Sequence, residues 1–170
     1  VINGDSTISL PENCSLPVRH AVDMIERDHE MVFGKVPNLI TSNTEKADIF
    51  VRYAENHEEC PERPQAYGFR FMENAEKPSF HIVGYDDLGI IYALLHYSTQ
   101  YLGVDPFWFW ADLPIKQLSE IHIPAKNFNS PEKKVKYRGW FVNDEVCLIG
   151  WKEEYPPSKE IWYPVFEALL

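Results

Sequence analysis

Lys136-Tyr137-Arg138-Gly139-Trp140-Phe141-Val142-Asn143-Asp144-Glu145 is the stretch on which the reading of this chain turns. A short apolar run ends abruptly in an amide and two carboxylates. Parallel barrels carry their chemistry on loops at the C-terminal ends of the strands, and a first barrel strand delivers polar groups to a site in this way. The spacing predicts a strand over 135–142. Only 25 residues follow Glu145, so the chain is expected to stop as a catalytic domain begins.

Outward from that strand, the bulk properties bound the answer. The 170 residues suffice for one ordinary domain and part of a second. Apolar residues make up 45% and charged residues 25%, a globular composition. A net charge of −10 argues against a nucleic-acid partner, because phosphate binding needs a surplus of Lys and Arg. The longest plainly apolar run, residues 90–95, falls far short of the ~20 residues of a membrane span. The first residue is Val1 rather than Met, which fits a processed, exported product and fits a trimmed one equally. Cys14, Cys60 and Cys147 cannot all pair, and their spacing matches no zinc pattern.

Upstream, residues 16–33 form an amphipathic helix in which Val18, Ala21, Val22, Ile25 and Val32 share a stripe with His29. Ser15 caps it, Pro17 suits its first turn and Gly34 closes it. Asp23, Glu26, Arg27, Asp28 and Glu30 fall mostly on the watered face. Strands are expected over 47–53, 67–72 and 79–83, the last two antiparallel. Asp86 or Asp87 opens a second helix that runs to Leu102 before Gly103. It is apolar on two faces, one for the sheet and one for a following domain. Phe107-Trp108-Phe109-Trp110 reads as a strand whose rings point both ways. A strand is expected over 120–123, a linker over 125–134 and a helix over 158–170, with Pro164 weakening its first turns.

Two readings stand side by side for Asn143, Asp144 and Glu145. Carboxylates accept paired hydrogen bonds from neighbouring sugar hydroxyls; a polar strand end also simply caps the next turn. The aromatic run likewise suits stacking on sugar rings or packing between domains. Of the six histidines none forms a close metal pair, and His57-Glu58-Glu59-Cys60 reads as a solvated acidic loop. His29 reads as a hydrogen-bonded packing residue. No cofactor and no metal is expected.

Two segments resemble glycoside hydrolase family 115, the xylan α-glucuronidases. One runs Gly84-Tyr85-Asp86-Asp87-Leu88-Gly89-Ile90-Ile91-Tyr92-Ala93 and continues through Leu102-Gly103-Val104 to Pro106-Phe107-Trp108-Phe109-Trp110-Ala111-Asp112-Leu113-Pro114. The other is Val135 followed by the stretch quoted first, then Gly150-Trp151. Leu88, where many relatives carry a basic residue, and Val146-Cys147-Leu148-Ile149 depart from the family's pattern.

The resemblance implies an α/β (α+β) fold: a mixed β-sheet with two main helices, the accessory N-terminal domain of barrel glycosidases, over residues 1–130. Residues 131–170 would be the linker and the truncated first βα unit of a TIM barrel, the (β/α)8 catalytic domain. Asn143, Asp144, Glu145 and Trp151 would bind substrate, and the catalytic residues would lie outside this chain. The implied activity is inverting hydrolysis of α-linked glucuronic acid from glucuronoxylan or its oligosaccharides, in a secreted or periplasmic enzyme. The remainder of the barrel is the implied partner, with no nucleic acid and no membrane, and the chain alone is expected to be inactive. Trp140, Phe141, Trp151, Trp162 and Phe166 would lack barrel neighbours, which predicts a homodimer or a tail folded back on the helix at 88–102. The rival expectations are a non-catalytic carbohydrate-binding or docking module, and the front of a hexosaminidase-type barrel enzyme.

Overall fold

The computed structural model describes residues 1–41, 46–73, 78–139 and 158–170. They divide into two compact units, one of residues 1–104 with 115–132, the other of residues 105–114 with 133–170.

The first unit is a mixed sheet with two helices packed on one face. Chain order gives β1 (Ile2–Asn3), β2 (Thr7–Ser9), α1 (Leu16–Phe33), β3 (Asn38–Ile40), β4 (Ile49–Tyr53), β5 (Tyr67–Met72), β6 (Ser79–Gly84), α2 (Asp87–Tyr97), β7 (Glu120–Ile121) and β8 (Phe128–Asn129). The main sheet runs β3-β2-β4-β6-β5-β8, and β1 pairs with β7 in a separate ribbon. β3, β2, β4 and β6 are parallel to one another; β5 is antiparallel to β6 and β8. The expected hairpin therefore forms, with Phe69 opposite Ile82 and Phe71 opposite Phe80.

Strand alternation decides what each face of the sheet carries. Ile49, Val51, Phe69, Phe80 and Ile82 face the helices and are buried or nearly so. Val22 and Ile25 of α1 and Leu94 of α2 meet Ile8, Leu39 and Val51 around one small void. The opposite face presents Phe50, Arg52, Arg70, Ser79, His81 and Val83.

α1 starts where its cap predicts: the Ser15 hydroxyl accepts from Val18 N, Pro17 sits in the first turn, and Gly34 ends the helix at φ 71°. His29 is fully buried, with Nε2 3.0 Å from the Tyr97 hydroxyl, as its place on the stripe suggests. Asp28 is a correction. It is fully buried rather than watered, accepting from Ser98 Oγ at 2.5 Å and paired with Arg27. A carboxylate tolerates such a site only when its oxygens are bonded. Desolvation still raises its pKa, against the pull of Arg27 and Ser98.

α2 begins at the Asp86 cap, which accepts from Gly89 N at 2.7 Å. Its α-helical part ends at Tyr97, and a π turn carries the chain through Ser98–Leu102 to Gly103 at φ 72°. The full extent of this element matches the expected helix, but the change of pitch leaves no mark in the residue pattern. The strand expected over 120–123 shrinks to β7, because only Glu120 and Ile121 have partners, on Asn3 and Ile2.

In the second unit the aromatic run is not a strand. Residues 106–112 are turns, held by Trp108 N to Asp105 O, Ala111 N to Phe107 O and Leu113 N to Trp108 O, with Asp112 at φ 49°. A ladder needs a neighbour, and these amides close on their own segment instead. Residues 135–139 are exposed and carry no strand hydrogen bonding, and residues 140–142 of the expected strand lie outside the described residues. α3 (Lys159–Glu167) forms with Pro164 inside it. Ile161 and Val165 are buried, Trp162 stacks on Phe166 at 5.2 Å, and Tyr163 and Phe166 are about half exposed.

Candidate functional site

The residues first suspected of meeting substrate, Asn143, Asp144, Glu145 and Trp151, lie outside the described residues. Chemistry-bearing groups that are described gather in three places of the first unit.

The first is the sheet face away from the helices. Arg52 clasps Glu59 with both terminal nitrogens, at 2.8 and 2.7 Å, and its Nε donates to His81 Nδ1 at 3.1 Å. His81 Nε2 lies 2.9 Å from Ser79 Oγ, and the His81 ring stacks on Phe50 at 4.7 Å. A serine, a histidine and a carboxylate in series invite a nucleophile reading. The proton inventory excludes it. Arg52 Nε can only donate, so Nδ1 is the acceptor, and Nε2 carries the hydrogen and donates to Ser79. A general base needs its lone pair on the side of the nucleophile. Burial, aided by the Arg52 charge, also pushes the His81 pKa down to about 4. The Arg52 hydrogen bonds hold the Glu59 carboxyl down at about 2.

Arg70, beside it, donates to the carbonyls of Glu58, Phe69 and Phe128 and to Asn129 Oδ1. Those bonds occupy all five of its N–H groups, so none remains for an anion. This cluster is therefore a clamp that fastens loop 54–66 and β8 to the sheet. It corrects the solvated-loop reading of residues 57–60. His57 and Glu58 are exposed, but Glu59 is locked to Arg52, and Cys60 is fully buried with Ala66 and Val83. Cys14 and Cys60 are free thiols. Removing the clamp should show as stability. Arg52→Met strands Glu59 and His81 and is expected to cost about 2–3 kcal/mol in urea unfolding. Ser79→Ala loses one neutral hydrogen bond, about 1 kcal/mol. Equal effects of the two would refute the clamp.

The second place is the C-terminal edge of the parallel strands, where open α/β sheets bind ligands. Here the Tyr53 hydroxyl donates to Asp87 Oδ1 at 2.7 Å. Hydrogen bonds from Ser15 and Tyr53 hold the Asp87 carboxyl below its ordinary range. Asp86 is occupied by Gly89 N and by Gln65 N at 3.0 Å. These side chains tie the two helix starts to the edge rather than leave an open crevice. Among the described residues no group of three or more His, Cys, Asp or Glu converges as a metal site would.

The third place lies at the opposite end of the sheet. A groove of about 510 Å³ runs between the β1–β7 ribbon and the sheet, lined in part by Ile2, Phe71, Pro78, Phe80 and Ile123. Asn3, Asp5, Ser6 and Asp48 supply its polar wall. Asp48 accepts from Thr7 N at 2.9 Å, and Asp5 pairs with Lys35. Sequence reasoning singled out no residue of this groove as functional. Its walls come from short strands and their flanks, whose pairing across the chain leaves no local signal.

No family model and no curated protein matches the chain. Among solved structures it is similar to BtGH115A, a family GH115 4-O-methyl-α-glucuronidase with specificity for decorated arabinogalactans. The TM-score is 0.76 at 25% identity, over 99% of this chain and 24% of that one. The chain thus spans about a quarter of that protein's length, and the resemblance to family 115 carried by the two segments is shown across the described fold. A GH138 enzyme targeting pectin rhamnogalacturonan II is similar at a TM-score of 0.37 and 11% identity, over 72% of this chain and 15% of that one. That likeness is too slight to bear on the fold.

Proposed function

We propose, from the premise that the chain is built like part of a family 115 glycoside hydrolase, that it is the front of an α-glucuronidase. The similarity to BtGH115A over 99% of the chain at a TM-score of 0.76 is the observation that carries this reading. In it, residues 1–130 are the accessory domain, and residues 131–170 are the linker with the first strand and helix of the catalytic barrel. Asn143, Asp144, Glu145 and Trp151 meet the uronic acid at the top of that strand. The substrate is a polysaccharide carrying α-linked glucuronate, either glucuronoxylan or, as for the neighbour, a decorated arabinogalactan. Such polymers call for a secreted or periplasmic enzyme.

Inversion needs an acid and a base carboxylate ~6.5–9.5 Å apart around a water, and barrel enzymes draw such groups from several strands. One strand cannot supply both. The remaining barrel also covers Tyr163 and Phe166 of α3, faces that in the isolated chain pair with a second copy.

The test compares the 170-residue chain with a version extended by its downstream coding sequence. Both are assayed on aldouronic acids and on glucuronate-capped arabinogalactan oligosaccharides, with the anomer of the released sugar read by NMR. The short chain is expected to show no turnover, and the extended chain to release the inverted sugar. Glu145→Gln and Asp144→Asn in the extended chain are expected to lower kcat/KM about tenfold or more, the loss of a charged hydrogen bond worth roughly 1.5–3 kcal/mol. Turnover by the short chain, or an inactive extended chain, overturns the reading.

A further inference from the structure

We infer that the clamp of Arg52, His81 and Glu59 is an acid-opened latch: a proton on His81 releases residues 59–62 and bares the thiol of Cys60. The step is a local opening of one loop while the sheet stays folded. It stands apart from the glycosidase reading.

The hydrogen-bond roles set the trigger. Arg52 Nε donates to His81 Nδ1 at 3.1 Å, and a guanidinium has no acceptor to offer in return. A proton on Nδ1 would therefore set donor against donor. Nε2 cannot relieve this, because its own hydrogen is already bonded to Ser79 Oγ. Charge acts in the same direction. The charged groups facing His81 are Arg52 on β4, Glu59 in the loop and Arg70 directly opposite on β5, whereas Glu55, His57 and Glu58 are exposed. Two guanidiniums thus share one carboxylate, and a proton on His81 would set three cations against it. His81, Arg52 and Glu59 are mostly buried, so solvent screens little of that repulsion.

The other fastenings of the loop decide how much of it moves. Arg70 holds the Glu58 carbonyl through Nε and Nη2, and Arg63 Nη2 holds the Ser130 carbonyl at 2.6 Å. Backbone carbonyls do not titrate, so Glu58 and Arg63 stay anchored. Between them, the Glu59 carboxylate bonds to Arg52 and to Glu55 N, and Cys60 is fully buried against Ala66 and Val83. Val83 lies two residues beyond His81 on the same face of β6. When Arg52 leaves His81 it draws Glu59 with it, and the next residue in the chain is the one that covers Val83. A four-residue segment between two fixed points can open well below the global stability.

Thiol labelling of the 170-residue chain decides this, with Cys14→Ser and Cys147→Ser leaving Cys60 as the one target. A pyridyl disulfide is used from pH 7 to pH 5. The rate is divided by that of the same chain unfolded in urea at the same pH, which removes the reagent's own pH dependence. The protection of Cys60 is expected to fall about tenfold between pH 6 and pH 5, the slope of one proton. Far-ultraviolet circular dichroism should stay native there. Urea below the unfolding midpoint should leave the labelling rate unchanged, because a local opening exposes little surface. His81→Gln can still accept from Arg52 but cannot take the proton, and it should hold protection level across the range. His29→Gln should keep the fall. Level protection in the parent overturns the latch. So does a fall that persists in His81→Gln, or one that steepens with urea, which would make the exposure global unfolding. If His81→Gln does not fold, the pH and urea dependence of the parent still decides.

Discussion

Gly89→Ala is expected to unfold the first unit under conditions where the parent chain is stable. An added Cβ would fall 2.2 Å from the carbonyl oxygen of Ala66 and 3.2 Å from its carbon. That carbonyl cannot step aside, because it accepts from Tyr85 N at 2.9 Å and belongs to the residue that leads into β5. Two effects compete. Alanine is the better helix former by about 1 kcal/mol. Overpacking against fixed backbone costs typically 1–3 kcal/mol and occasionally more, and a contact this close to a backbone oxygen belongs at the upper end. The clash wins, with a net loss of about 2–3 kcal/mol and a urea midpoint lower by about 1 M or more. Gly103→Ala is the contrast. It meets nothing within 4 Å and carries only its left-handed φ of 72°, a backbone cost of roughly 1–2 kcal/mol. A Gly89→Ala variant as stable as its parent would mean that the turn from β6 into α2 is not packed as described.

Acid should be the second large effect, and it should arrive in two stages. His29 and His81 are buried and neutral, with burial depressing both to about 4 from an ordinary value of 6.5. Their depressed folded values mean that the unfolded chain takes up protons first. The stability they leave in place above pH 6.5 is lost as pH falls toward about 4. Each is worth about 3 kcal/mol on this basis. Glu59, held near 2 against an ordinary 4.5, adds a second loss from pH 4.5 downward as its grip on Arg52 is protonated. Asp28 works the other way, since its raised pKa favours the folded state on protonation. Thermal melts from pH 7 to pH 3 should fall steeply below 6.5, and His29→Gln with His81→Gln should flatten the upper part of that curve. A parent whose Tm is level from pH 7 to pH 4 would count against two buried neutral imidazoles.

Much of the fold was legible because its larger elements carry local signals. Ser15, Pro17 and Gly34 mark both ends of α1, and Asp86 and Gly103 mark the ends of the second helical segment. Alternation exposed β4 and β5 with the correct faces, and the break at Pro78 marked the start of β6. The short strands β1, β2, β3 and β8 are two or three residues each, too short to show a period, and their partners are remote in sequence. Asp28 escaped notice because charge argued for water, whereas Ser98, seventy residues away, supplies the bond that permits burial. Phe107-Trp108-Phe109-Trp110 looked like a strand by composition, but its amides close a turn. The first-suspected site at 143–151 falls outside the described residues, and the groove's walls converge only through tertiary pairing.

The π turn at Ser98–Leu102 leaves one more trace. A wider coil holds an extra residue for the same backbone closure, with i→i+5 bonds replacing i→i+4. Chains of this architecture that differ by a single residue in length can therefore absorb the difference there, reverting to ordinary pitch while still delivering their glycine to the same left-handed stop.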